Sequence, residues 1–163
     1  MSSFNRRRFL LLSALGLAGC GFTPAYAPGG AGNRLQDSIE VDAPSDRPGY
    51  LLTRHLEDRL GRAGAARYGL SYAIELSEAP IAISANNVTT RYNVLGEITY
   101  ALRDLTSGAV LASGKVDSFT SYSTSGTTVA TQAAKRDAEA RLMVVLGDQI
   151  VTRLLAASPD LPA

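Results

Sequence analysis

The sequence predicts an α/β fold: a two-layer sandwich with two helices packed on one face of a mixed four-stranded sheet, in the order β-α-β-β-β-α. Three observations predict it. Apolar residues recur at i+3 and i+4 in two separate segments, one around Leu52 and one around Leu146, the period of a helix with one buried stripe. Between these segments, from Tyr68 to about Tyr122, the period falls to two, as in strands that bury a single face. A short apolar stretch also precedes the first helical segment, so a crossover must return the chain to the same sheet, and such crossovers are right-handed.

The elements follow in order. "SIEVDAP", Ser38 to Pro44, reads as a short first strand ended by Pro44. In the helix that follows, Ser45 or Asp46 can cap the N-terminus and Pro48 suits the first turn. Leu52, Leu56, Leu60 and Ala63 form its stripe, and Gly64 is the expected stop. Tyr68, Leu70, Tyr72, Ile74 and Leu76 alternate with small or polar residues through a second strand. Ile81 and Ile83 beyond Pro80 fall on the opposite parity, so a continuing strand must bulge or bend there. "NNVTTR", Asn86 to Arg91, is expected as a polar loop. Tyr92, Val94, Ile98, Tyr100 and Leu102 resume alternation in a third strand, and "DLTSG" turns the chain at Asp104 to Gly108 into a fourth, Ala109 to about Tyr122. "STSGTT" then leads into one long helix from Val129 to Ala157. Its stripe is Ala134, Ala138, Leu142, Leu146, Ile150 and Leu154, with Val145 beside it and Ser158-Pro159 at its end. At 1.5 Å per residue it spans about 43 Å, so part of it is expected to project past the sheet.

The N-terminal region is organised differently. Arg6, Arg7 and Arg8 precede the apolar run "FLLLSALGLAG", a basic segment and a hydrophobic segment too short to cross a bilayer, which reads as an export signal. The lone cysteine, Cys20, follows at once. With no second Cys for a disulfide and only His55 to join it in a zinc site, its role is neither pairing nor structural metal binding. Leu17-Ala18-Gly19-Cys20 resembles the lipobox of bacterial lipoproteins, which implies lipid attachment at Cys20 and removal of residues 1–19. Two or three acyl chains hold a protein at a bilayer essentially for good. Gly21, rather than Asp, after the cysteine favours the outer membrane. "RRRFL" also resembles the twin-arginine export pattern, which leaves the general and twin-arginine routes both open.

Residues 1–19 are thus a signal peptide, 20–34 a lipid anchor and a tether rich in Pro, Gly and Ala, and 35–163 a single domain. Loss of Arg6, Arg7 and Arg8 takes the formal charge from +1 to −2, since no acid leaves with them. No basic excess points to nucleic acid.

No constellation supports an enzyme. His55 flanks the Leu52/Leu56 stripe beside Glu57 and Asp58, as expected of a solvated helix edge. No serine has a partner base, and no glycine cluster joins a strand to a helix to cradle phosphate. Glu75 and Glu97 lie on strands and can face each other as paired carboxylates, but outward positions of half-exposed strands are ordinarily polar. No cofactor or metal is expected.

The lipobox followed by "CGFTP", then "PGYLLTRHLEDRLGRAG", "RYNVLGEITYAL" with its Tyr92, and "DAEARLMVVLGDQIVTRLLA", resembles the LPS-assembly lipoprotein family LptE, of alphaproteobacterial type. The resemblance implies a non-catalytic plug and assembly partner of the LptD β-barrel in lipopolysaccharide transport. Such a plug is lipid-anchored at the outer membrane, on the periplasmic side or within the barrel lumen. The neutral "SFTSYSTSGTT", Ser118 to Thr128, and the loop Asn86 to Arg91 are candidates for contact with a polar lumen. Lipopolysaccharide phosphates call for cations, and Arg91, Lys115, Lys135 and Arg136 are the candidates. The alternative reading is an auxiliary lipoprotein of a lipid-transporting ABC system.

Overall fold

The computed structural model describes residues 30–83 and 89–161. They follow the expected order: β1 (Ile39–Val41), α1 (Arg47–Leu60), β2 (Tyr68–Ile83), β3 (Thr89–Asp104), β4 (Val110–Ser123) and α2 (Thr128–Ala157), with 3-10 turns at Ala31–Arg34 and Ser158–Asp160. The sheet order is β1-β2-β3-β4, with β1 parallel to β2 and the other pairs antiparallel. The mixed four-stranded sheet and its two-helix layer are as the periodicity predicts. Residues 1–29, with the expected signal and Cys20, lie outside the described residues, as do 84–88 of the expected polar loop.

Local chemistry sets the boundaries and corrects several of them. β1 is shorter than Ser38–Pro44: Asp42 N–H gives Leu70 O its last rung at 2.9 Å, and the chain then departs. Asp46, not Ser45, caps α1, its Oδ1 accepting from Gly49 N–H at 2.7 Å, which satisfies one of the orphan donors of the first turn. The helix stops at Gly61 rather than Gly64, leaving Ala63 beyond its end. Gly61 has φ +80°, and a Cβ there would lie 2.0 Å from Asp37 Oδ1, so only glycine fits. β3 begins at Thr89, so Thr89–Arg91 is strand rather than loop. Thr124 Oγ1–H donates to Thr89 O at 2.8 Å and Ser123 Oγ–H to Thr90 O at 3.3 Å, which ties this start to the end of β4. The parity change near Pro80 is a real irregularity, with register shifts at Pro80/Ala82 and Ala82/Ile83.

Leu52, Leu56 and Leu60 of α1 and Ala138, Leu142, Leu146, Ile150 and Leu154 of α2 are buried, with Leu70, Ile98, Leu102 and Val116 of the sheet. Gly96 on β3 lets α2 approach closely: a Cβ there would lie 2.9 Å from both Leu142 and Leu146. Val145 is exposed rather than packed beside the stripe. Met143, Gly147 and Val151 are buried instead, because α2 meets α1 as well as the sheet. A Cβ on Gly147 would lie 2.7 Å from His55 Cδ2 and 3.5 Å from Leu52 Cδ1. His55 is therefore a wedge between the helices and not a solvated edge. Its Nε2 lies 3.0 Å from Asp148 Oδ1, which Arg59 also reaches at 3.4 Å.

The expected overhang of α2 rested on strands of ordinary length. β2 and β3 have 16 residues each, about 53 Å of strand, and α2 has 30, about 45 Å of helix. The helix therefore lies along the sheet, and exposure is concentrated in its first turns, at Thr128, Val129, Ala130, Gln132 and Ala133.

Candidate interaction surface

The helices cover one face of the sheet and leave the other open. On β2 to β4 the open face is carried by the odd-numbered residues, and the register aligns them in rows: Ala73, Thr99 and Lys115; Glu75, Glu97 and Asp117; Ser77, Leu95 and Phe119; Ala79, Asn93 and Ser121. Glu75 and Glu97 do face each other, as their strand positions allow, and Asp117 extends the row. Lys115 Nζ sits 2.6 Å from Glu97 Oε1, and this hydrogen bond with its opposite charge raises the Lys115 pKa. The pairing ties up one carboxylate of three. Beside this row Leu95 is 40% exposed and Phe119 62% exposed, and the two are cross-strand neighbours. Together with Ser77 and the backbone of Gly96 and Ser118 they line a shallow depression of about 440 Å³. Among the described residues no cluster of three or more His, Cys, Asp or Glu could hold a metal ion.

At the end of the sheet away from β1, the helix-covered face carries a polar pin. Tyr92 and Tyr122 are register partners with rings stacked at 5.7 Å between centroids, and Pro80 lies opposite Tyr92 on β2. Lys135 Nζ of α2 sits 2.7 Å from Glu78 Oε1, while Tyr122 O–H donates to Glu78 Oε2 at 3.4 Å. The hydrogen bond to Glu78 raises the Lys135 pKa. Burial, then the Glu78 charge, raises that of Tyr122. Sequence reasoning passed over this cluster, although a signal was present: Glu78 falls on the apolar parity of β2, where an acid needs a partner.

The four candidate cations are not gathered into one site. Lys115 lies on the open face with Glu97, and Lys135 is engaged by Glu78 on the helix side. Arg91 is exposed on β3 opposite Ser123, and Arg136 is exposed near the start of α2. Neither Arg91 nor Arg136 has an acidic partner among the described residues. The neutral segment Ser118 to Thr128 is mostly ordered β4 and a turn, and several of its hydroxyls serve the fold. Thr120 Oγ1–H donates to Ala138 O at 2.8 Å, and Thr127 Oγ1 caps α2 by accepting from Ala130 N–H at 3.2 Å.

A half-covered sheet with an apolar pair beside a charged row and a polar pin at one end makes this an α/β two-layer sandwich with one open face. The Lipopolysaccharide-assembly family model LptE matches residues 36–154, and the chain belongs to that family. It thereby stands among the lipopolysaccharide-assembly lipoproteins of the outer membrane. Solved structures share the fold. A chain described as a lipoprotein from Caulobacter crescentus is 24% identical with a TM-score of 0.67, covering 80% of this chain and 97% of its own. The rare lipoprotein B of Shewanella oneidensis is 12% identical with a TM-score of 0.59, covering 76% and 96%. Lipoprotein B of Nitrosomonas europaea is 14% identical with a TM-score of 0.56, covering 75% and 84%. Among curated protein sequences none matches.

Proposed function

We propose that this protein is the plug and assembly partner of the LptD β-barrel, anchored to the outer membrane through lipid on Cys20, and that it acts by contact without turnover. Membership of the LptE family across residues 36–154 carries the reading. The open face supports it: a row of carboxylates, threonine and serine side chains and one exposed apolar pair suits a polar barrel lumen better than a dry interface. The domain of residues 35–163 fills the lumen or its periplasmic mouth, and 20–34 tethers it. Of the four cations, Arg91 and Arg136 are the ones free to meet lipopolysaccharide phosphates, since Lys115 and Lys135 are engaged by Glu97 and Glu78. A pull-down from detergent-solubilised membranes should recover LptD, and depletion should lower assembled LptD and admit large antibiotics. Recovery of an inner-membrane transporter, with the barrel unaffected, would replace this reading with the ABC-auxiliary one.

A further inference from the structure

The outer edge of β2 is occupied only at its start. β1 pairs with Tyr68, Gly69 and Leu70, and Asp42 N–H closes the run on Leu70 O. Backbone groups alternate sides along a strand, so residues of Leu70's parity, Tyr72, Ile74, Leu76 and Glu78, turn their N–H and C=O groups outward. Among the described residues no backbone group bonds to them on that side. The register shifts beyond Pro80 end the straight part of the edge. What remains is a window of about 23 Å, long and regular, without the lysine, proline or bulge that ordinarily protects an edge.

The side chains bordering this window define what fits it. β1 and β2 contain Glu40, Glu75 and Glu78 and no Lys, Arg or His. Glu75, on the open face, forms no salt bridge among the described residues, Lys115 acting on it only at longer range, and it continues the row of Glu97 and Asp117. On the helix side Leu76 is 37% exposed and Ile74 half-buried at the rim of the core. An incoming strand would place alternate side chains against these two borders. We propose that the β2 edge from Tyr72 to Glu78 takes up an extended segment of a partner protein carrying Lys or Arg on one parity and apolar residues on the other, which adds a strand to the sheet beyond β1. A second copy of this chain fits less well, because antiparallel β2 edges would bring their Glu75 carboxylates onto one open face, and β2 itself contains no base.

The test uses the full mature chain in detergent and a synthetic peptide of alternating lysine and valine, about nine residues long, with an alternating glutamate and valine peptide as control. The lysine peptide should slow amide hydrogen exchange at Tyr72, Ile74, Leu76 and Glu78 by about tenfold or more while leaving Ala73, Glu75 and Ser77 unchanged, and the glutamate peptide should do neither. Leu76→Pro removes an outward donor that the β3 ladder does not use and should weaken binding about tenfold. Should that variant fail to fold, Glu75→Lys decides the matter by shifting preference toward the glutamate peptide. No protection at the four amides, equal protection by both peptides, or protection already present without peptide overturns the proposal. In the last case, dependence on protein concentration would assign the edge to a second copy, and independence of it to this chain's own N-terminal segment. Recovery of LptD in the pull-down is decided separately.

Discussion

The two long edges of the sheet are treated in opposite ways. Along β4, α2 extends side chains over the strand's outward carbonyls: Arg141 Nη2–H donates to Ser121 O at 3.2 Å, Gln149 Nε2–H to Asp117 O at 3.3 Å and Arg153 Nη1–H to Lys115 O at 2.7 Å. Along β2 past Leu70 the described residues provide no such cover. The difference follows from helix length. α2, with 30 residues, runs beside β4 for most of its course, whereas α1, with 14, lies over the proximal half of β2, where Tyr72 O–H reaches Gly49 O at 3.3 Å. A strand edge is closed where a helix is long enough to reach it, and the shorter helix leaves the other edge to a partner.

Loosening α2 should break the contrast most strongly. Leu146 is fully buried, and Leu146→Ala should cost about 2–5 kcal/mol and lower the thermal midpoint, with amide exchange along β4 rising toward that of the β2 edge. A smaller displacement should come from Gly147→Ala, whose new Cβ meets His55; about 1–3 kcal/mol is expected, and His55→Ala in the same chain should restore part of it in a double-mutant cycle. At the distal end, Glu78→Gln should cost about 1 kcal/mol or less, since both partners of the Lys135 pair are about one-third exposed, and the loss should shrink in high salt. This pair also sets a pH response. Lys135 and Tyr122 both hold their protons more tightly folded than unfolded, so their contribution is complete below the unfolded values near pH 10 and is lost as pH rises through the folded ones. Thermal midpoints should therefore fall above about pH 10, and less so in Glu78→Gln. Arg153→Ala should change stability by only about 0.5 kcal/mol, yet uncover part of the β4 edge. Increased self-association in sedimentation, with little change in midpoint, would show that these arms shield the edge rather than stabilise the fold.

Periodicity made the helices, the alternating strands and the irregularity beyond Pro80 legible, because each rests on which side chains meet the core. The end of α1 was not legible. Gly64 was the expected stop, but the helix ends at Gly61, where Asp37, distant in sequence, occupies the space beside it. Val145 was placed beside the stripe because strict i+4 spacing does not say on which side a second helix packs; the buried neighbours are Met143 and Gly147, and Gly147 meets His55 of α1. Of the interaction surface, alternation allowed Glu75 and Glu97 to face each other, and the register of β2 on β3 pairs them. Asp117 joining them, and Leu95 meeting Phe119, required the register of β3 on β4, which one strand's pattern does not contain. The cations were legible as residues but not as free or engaged, a distinction made by Glu97 and Glu78 from other strands.

The two ends of the described domain meet. Arg34 Nη1–H donates to Leu161 O at 3.4 Å, Leu35 and Leu161 are both buried, and Ser38 O accepts from both Arg67 N–H and Tyr68 N–H where β1 enters the sheet. Any tension arriving through the N-terminal segment is consequently delivered to one corner. There the first contacts on its path are the last turn of α2 and the parallel β1–β2 rungs. The Tyr92–Tyr122 end lies at the far side of strands about 50 Å long. The chain's entry into the domain and its polar pin thus stand at opposite poles of the sheet.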